Sequence, residues 1–165
     1  MDNKKESAGG SQVISLLNRA LSDELEAIHQ YLYFHFHCED QGLDRLASIF
    51  KDAALGEMRH VEKLAQRILF LKGELGMSVV NPVKPIRDAR AMLAEASIME
   101  EQSAASYNAW ANDCGQLKDL GTRHVFESLT RDEENHLDNY RKELENLAKF
   151  GDQYLALQTL GQKVN

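Results

Sequence analysis

Two Glu-x-x-His pairs occur in this sequence, and a single glutamate precedes each pair at the same offset along the chain. The duplicated set consists of Glu24, Glu57, His60, Glu100, Glu133 and His136. Residues three apart share one face of an α-helix, so each pair directs a carboxylate and an imidazole to the same side. The offset from Glu24 to Glu57 is 33 residues and recurs from Glu100 to Glu133. This is about the number of residues in one helix and the turn that follows it, so the single glutamate and the pair lie on successive helices. The set therefore predicts four helices that each give a carboxylate to one two-metal centre of the di-iron or di-manganese type.

Apolar residues recur at spacings of three, four and seven in four segments of the chain. This periodicity predicts helices over residues 11–40, 43–72, 86–114 and 117–149. Gly42 and Gly73 end the first two helices. All six candidate ligands fall on the apolar stripes, which indicates that they face the core.

The segment between the second and third helices, residues 73–85, contains both prolines and has no period. Extended at ~3.3 Å per residue it reaches about 43 Å, close to the length of one of these helices. It can therefore run back along the whole molecule. The sequence predicts an all-α four-helix bundle with one long crossover between helices two and three, and a short fifth helix over residues 152–160. We expect residues 1–10 to form a flexible tail and residues 11–165 to form one domain.

The composition narrows the function classes. A net charge of −7 disfavours nucleic acid as a partner. The polar N-terminus lacks the apolar core of a signal peptide, and no run of about 18 apolar residues could span a membrane, so we expect a cytoplasmic protein. Cys38 and Cys114 are solitary, which predicts two reduced thiols and excludes a rubredoxin-type or zinc-ribbon site.

Charge balance favours metal at the six residues. Four carboxylates buried with two imidazoles would be costly without cations, and two divalent ions would neutralise them. The alternative is that the glutamates are solvated, since a single Glu-x-x-His is a weak signal. Glu26/His29 is such a pair, and we interpret it as a surface feature because Glu26 lies about 200° around the helix from Glu24. The repeated offset therefore carries the prediction.

A tyrosine follows each single glutamate by seven residues, Tyr31 after Glu24 and Tyr107 after Glu100. Each phenol then lies two turns on and within about 20° of its glutamate. The pair could hydrogen-bond the ligating carboxylates and supply an electron during oxygen chemistry. The alternative is that both are core aromatics with one polar tip.

Three stretches, residues 17–31 (LNRALSDELEAIHQY), 56–73 (GEMRHVEKLAQRILFLKG) and 131–136 (RDEENH), resemble bacterioferritin, the haem-containing branch of the ferritins. The likeness extends over nearly the whole chain. It implies a ferritin-like fold and a homo-oligomeric cage of 24 subunits built from two-fold dimers. It also implies ferroxidase activity, in which Fe(II) is oxidised by oxygen or peroxide at an intrasubunit di-iron centre and ferric mineral is stored. A ferredoxin-type protein is a candidate electron donor.

The resemblance also implies roles for single residues. Glu57 and Glu133 would bridge the two irons, while the remaining ligands would complete them as the pairs Glu24 with His60 and Glu100 with His136. Met58 would ligate a b-type or related haem axially, together with its mate across a two-fold dimer interface, so that one haem serves two subunits. The alternative for Met58 is packing in a haem-free interface.

Four positions depart from the bacterioferritin pattern. Asp52 and Gly56 stand where that pattern can have a His and an Asp on the inner cavity wall, which puts an extra iron site there in doubt. Leu64 and Asn139 replace two aromatic residues near the ligating histidines, which leaves Tyr31 and Tyr107 as the nearby phenols.

Two other classes of protein remain as alternatives. A rubrerythrin-like di-iron peroxidase would use the same centre without storing iron, although the chain lacks a Cys-x-x-Cys rubredoxin module. A metal-free helical scaffold or a DNA-protecting mini-ferritin is disfavoured, because mini-ferritins place their ligands between subunits. Particle size separates a storage cage from a peroxidase.

Overall fold

The computed structural model of the chain describes residues 2–159, with side chains from residue 9 onward, and that part of the chain contains five α-helices and no strand. The helices are α1 (Asp2–Asp40), α2 (Asp44–Phe70), α3 (Ala89–Gln116), α4 (Leu120–Phe150) and α5 (Asp152–Gln158). The predicted all-α bundle with a short fifth helix is thus confirmed. No helix among the described residues has the length and apolarity needed to cross a bilayer.

The first helix begins at Asp2 and not at Ser11, so the predicted start of that helix is wrong. The polar segment 1–10 lacks apolar periodicity, but it also lacks proline, the residue that most strongly interrupts a helix. Its predicted flexibility stays a prediction. Leu160, the predicted end of the fifth helix, lies outside the described residues.

The four long helices form two hairpins, α1 with α2 and α3 with α4. Gly42 adopts φ 71° in the first tight turn and Lys118 adopts φ 61° in the second. At the start of α4, Asp119 caps the helix by accepting a hydrogen bond from the Thr122 N–H at 2.9 Å, and Arg67 of α2 holds the same carboxylate at 2.6 Å. Both hairpins are therefore closed by turns of three residues.

The long crossover, residues 71–88, lies along α1 and is held there by polar side chains one turn apart. Asn18 binds the backbone of residues 74 and 76, and Ser22 donates to the Ser78 carbonyl at 2.7 Å. Glu26 accepts from the Asn81 N–H at 2.7 Å, and Gln30 accepts from the Lys84 N–H at 2.8 Å. Glu26 of the third Glu-x-x-His pair thus anchors the crossover, away from the ligands.

The interior contains two apolar clusters, one toward each end of the bundle. One includes Phe34, Phe50 and Met92, and the other includes Leu21, Ile68 and Phe126. Buried charged side chains lie between the clusters, at the middle of the long helices. Cys38 and Cys114 are buried free thiols, as predicted.

Candidate metal centre

The six predicted ligands come together at the middle of the bundle. α1 and α3 each contribute one glutamate, and α2 and α4 each contribute one Glu-x-x-His pair, as the repeated offset predicts. The four carboxylates are at most 2 % exposed. Such burial is unusual for glutamate and requires a compensating partner.

These residues form two overlapping groups, each with ligand atoms that lie within 4.8 Å of one another. Glu24, Glu57, His60 and Glu133 form the first group, which we call position A. Glu57, Glu100, Glu133 and His136 form the second, which we call position B. Glu57 and Glu133 belong to both, so each can give one oxygen to either position.

At position A, the Nδ1 atom of His60 faces three carboxylates. It lies 2.7 Å from Glu57 Oε2, 3.1 Å from Glu133 Oε1 and 3.4 Å from Glu24 Oε1. The His60 side chain is 4 % exposed. Its Nδ1 atom therefore points inward to the carboxylates.

Position B repeats this arrangement around His136. The Nδ1 atom of His136 lies 3.0 Å from Glu57 Oε1, 3.3 Å from Glu133 Oε2 and 3.7 Å from Glu100 Oε1. The two shared carboxylates thus turn one oxygen to each imidazole. The His136 side chain is 22 % exposed, so this half of the centre is more open.

Several of these buried polar atoms make no hydrogen bond within the described part of the chain. They are both oxygens of Glu57, both oxygens of Glu133, and the Nδ1 atoms of His60 and His136. Buried polar groups are nearly always satisfied, and six orphaned atoms that converge on two points need a partner that can bond several at once. Oxygen and imidazole donors in this number suit two divalent transition-metal ions, so the residues fit a two-metal centre.

The electrostatics show how much the carboxylates need positive charge. Burial raises the pKa of Glu24 and of Glu100 well above the ordinary 4.5. Burial lowers the pKa of His60, but the surrounding carboxylates, Glu133 foremost, outweigh it and raise that pKa to about 12. Protons therefore balance the charge when no cation is bound, and cation binding must release them.

The two predicted tyrosines bind the glutamates of the opposite helix. The Tyr31 hydroxyl donates to Glu100 Oε1 at 2.6 Å, and the Tyr107 hydroxyl donates to Glu24 Oε1 at 2.8 Å. Burial raises the pKa of both phenols well above 10, so both remain protonated donors. Each therefore holds one outer carboxylate in place.

Sequence reasoning missed two residues near the centre. Tyr140 is buried with its ring centroid 5.9 Å from that of Tyr31, and its hydroxyl makes no hydrogen bond to any described residue. It follows Glu133 by seven residues, the spacing that revealed the other two tyrosines. Asp132 lies 3.4 Å from the outer nitrogen of His60, a contact between α2 and α4 that no spacing within one helix reveals.

The positions that depart from the bacterioferritin pattern lie around this centre. Asp52 is exposed, whereas Gly56 is buried against the His136 ring. Leu64 belongs to one apolar cluster and Asn139 is exposed. A surface cavity of about 240 Å³ opens between α2 and α4 onto both imidazoles.

Met58 points away from the ligands and is 53 % exposed on the outside of the bundle. Leu25, Ile28 and Leu32 of α1 are half-buried. Leu55, one turn before Met58, is also exposed. The thioether is thus available at the surface and not to positions A and B.

Known proteins resemble the chain along almost its full length. A family model described as Ferritin-like domain matches residues 14–150. Bacterioferritin from Rhodobacter capsulatus is 35 % identical over 151 residues, which cover 90 % of this chain and 92 % of that protein. The chain belongs to the bacterioferritins.

Two solved bacterioferritin structures share the fold at 30 % identity. The Desulfovibrio desulfuricans structure, described with its di-iron site in different catalytic states, has a TM-score of 0.90 and covers 93 % of this chain and 90 % of its own. The Rhodobacter capsulatus structure, described with a metal-free dinuclear site and a haem iron, has a TM-score of 0.87 and covers 94 % of this chain and 97 % of its own. The resemblance stated from the sequence is thus confirmed.

Proposed function

We propose that this protein stores iron, and that it oxidises Fe(II) with oxygen or peroxide at a di-iron centre within each subunit. One observation carries the proposal: Glu57 and Glu133 belong to both position A and position B. Each of these carboxylates turns one oxygen toward His60 and the other toward His136, and none of the four oxygens has a hydrogen-bond partner among the described residues. Membership of the bacterioferritins supports the same function.

In this proposal Glu57 and Glu133 would each help to hold both irons. Glu24 with His60 completes position A, and Glu100 with His136 completes position B. Two Fe(II) ions held at positions A and B would supply two electrons together to one oxidant, which would avoid a one-electron product.

The chain's own residues prepare that chemistry. Tyr31 and Tyr107 orient the outer carboxylates before metal arrives, so less rearrangement is needed on binding. The apolar clusters close the site toward both ends of the bundle, while the cavity between α2 and α4 opens onto its imidazoles. The protons held by His60 and the outer glutamates leave as cations enter, so we expect iron uptake to release protons.

We also propose haem binding at Met58, with one haem shared by two subunits across a two-fold interface. An exposed thioether one turn from the exposed side chain of Leu55 suits a porphyrin edge. The Rhodobacter capsulatus relative is described with a haem iron, which supports the assignment.

Assembly into a 24-subunit cage belongs to the same proposal. Large apolar side chains are exposed along the bundle, and they include Phe36, Leu55, Met58, Leu69, Phe70 and Leu120. Such residues are expected where subunits meet. Size exclusion and electron microscopy test the assembly: a particle of many 18.7 kDa chains that fills with dense mineral supports storage, whereas a dimer or tetramer favours a rubrerythrin-like peroxidase.

Substitution of the bridging residues tests the ferroxidase activity. Glu57→Ala and Glu133→Ala should abolish rapid Fe(II) oxidation, followed by the absorbance of the ferric product with oxygen and with peroxide. Glu62→Ala and Glu134→Ala are matched controls, since both side chains are exposed on the same helices, and they should oxidise Fe(II) normally. Unchanged rates in both bridging variants, with helical content preserved, would refute the assignment.

A further inference from the structure

The two imidazoles of the centre differ in what lies behind them. The outer nitrogen of His60, Nε2, is 3.4 Å from Asp132 Oδ2 on α4. Lys63 of α2 donates to the same oxygen at 3.1 Å and so holds the carboxylate in place. A histidine that binds metal through one nitrogen and donates its other N–H to a carboxylate is held in one tautomer and orientation.

Behind His136 the internal repeat places a glycine. Asp132 precedes Glu133 just as Gly56 precedes Glu57, so the two occupy equivalent positions in the two halves of the repeat. The contacts follow the same symmetry, because a Cβ atom at Gly56 would lie 3.2 Å from Cε1 and 3.3 Å from Nε2 of His136. His60 thus has a carboxylate behind its ring, whereas His136 has a residue without a side chain at the equivalent place.

Exposure follows the same asymmetry. The side chain of His60 is 4 % exposed, whereas that of His136 is 22 % exposed. Both border the cavity between α2 and α4, but only His60 has an acidic residue against its outer nitrogen among the described residues.

We infer that Asp132 is a positioning residue for His60, and that it makes position A the tighter of two unequal metal sites while position B exchanges its metal more readily. The inference rests on the proposed two-metal centre and deepens it. Partners behind a ligating histidine typically contribute a factor of about 10–100 in metal affinity, which is the difference expected between the two positions.

Titration of the full-length metal-free protein with Co(II), followed by visible absorbance, tests this. The wild type should bind two equivalents in two separable steps. Asp132→Ala should weaken the tighter step by about 10–100-fold and leave the weaker step unchanged, so that the steps merge. Asp132→Asn keeps an acceptor oxygen but removes the negative charge. If Asp132 acts by positioning His60, this variant should retain most of the metal affinity; if it acts only through its charge, the affinity should fall as it does in Asp132→Ala. Asp138→Ala, at an exposed aspartate of the same helix, should bind as the wild type does.

Nitrogen-15 NMR of the Zn(II)-loaded protein gives a readout independent of affinity and activity. The Nε2–H of His60 should be visible and slow to exchange in the wild type, and should exchange rapidly in Asp132→Ala. The positioning role is overturned if Asp132→Ala binds both equivalents as the wild type does, or if it weakens both steps equally. A wild type that binds no Co(II) would instead overturn the two-metal centre itself, and this inference with it.

Discussion

Tyr31 on α1 donates its hydroxyl hydrogen to Glu100 on α3 at 2.6 Å, although the seven-residue spacing pairs it with Glu24 of its own helix. Tyr107 does the reverse and donates to Glu24 at 2.8 Å. The crossed pairs arise because α1 and α3 run antiparallel, so that a residue two turns on in one helix faces the glutamate of the other. Each phenol therefore couples two helices through a candidate ligand.

Tyr31→Phe should weaken metal binding by about 10–100-fold, because Glu100 loses the donor that orients it. The carboxylate oxygen left without that donor should also lower the free energy of unfolding of the metal-free protein by about 1–3 kcal/mol. Co(II) titration and urea denaturation measure the two effects. Tyr107→Phe should act in the same way through Glu24.

Tyr33→Phe serves as the control for these variants, since Tyr33 is a half-buried neighbour that packs against His37 and makes no contact with the centre. It should leave metal affinity unchanged. If Tyr31→Phe binds Co(II) as tightly as Tyr33→Phe does, the phenol is only a core aromatic.

The stability of the metal-free protein should fall as pH rises. The pKa of His60 is about 12 in the folded protein against 6.5 for free histidine, so between these values the folded chain keeps a proton that the unfolded chain releases. The stabilisation is complete below pH 6.5 and disappears as pH approaches 12. The raised pKa values of Glu24 and Glu100 act in the same direction from pH 4.5 upward.

Thermal unfolding in chelator at a series of pH values measures this slope. His60→Gln should flatten it, whereas His29→Gln, at an exposed histidine of α1, should not. Bound Zn(II) should oppose the trend, because its ligands must be deprotonated and its stabilisation grows with pH. A metal-free stability that rises between pH 7 and 9 would contradict the prediction.

The helices and the six converging side chains were predictable because both depend on local spacing. The apolar stripe of α1 or α3 predicts which face of the helix is buried, and a glutamate within the stripe is therefore predicted to face the core. The repeated offset predicts that the six residues come from four helices and form one set. The crossover was also predictable in length and direction, since only an extended segment of that size joins two parallel helices.

Contacts across helices were not predictable from spacing. Asp132 contacts His60, and Tyr31 contacts Glu100, only because of how neighbouring antiparallel helices are aligned along their axes. Packing between the helices determines that alignment. The start of α1 was missed because a polar segment without proline has no period but can still be helical. Glu26 was correctly separated from the ligands, but its role became visible only when the crossover was seen beside it.

Met58→Leu should remove haem and leave Fe(II) oxidation intact. The thioether is exposed on the outside of the bundle, while its neighbours Glu57 and His60 face inward, so the substitution leaves the ligands in place. Leucine keeps the apolar surface but cannot ligate iron. Absorbance of protein expressed with ample haem is the measurement: the wild type should show a Soret band that the variant lacks. No Soret band in the wild type would count against the haem assignment.

Gly56→Ala should weaken the second equivalent of metal without destabilising the metal-free protein. Alanine in a helix interior is favoured over glycine by roughly 0.5–1 kcal/mol, which raises stability. The added methyl group, however, would lie 3.2 Å from the His136 ring, so the ring must move and its Nδ1 shifts relative to Glu57. Co(II) titration should therefore show a weaker second step with the first step retained.

Gly115→Ala provides the matched control for that substitution. A Cβ atom there would lie 3.3 Å from Nη1 of Arg123, a half-exposed guanidinium that can move aside at little cost. This variant should gain helix stability and bind both equivalents normally. If Gly56→Ala also binds both equivalents normally, His136 tolerates displacement without loss of affinity, and the close approach of Gly56 has no bearing on position B.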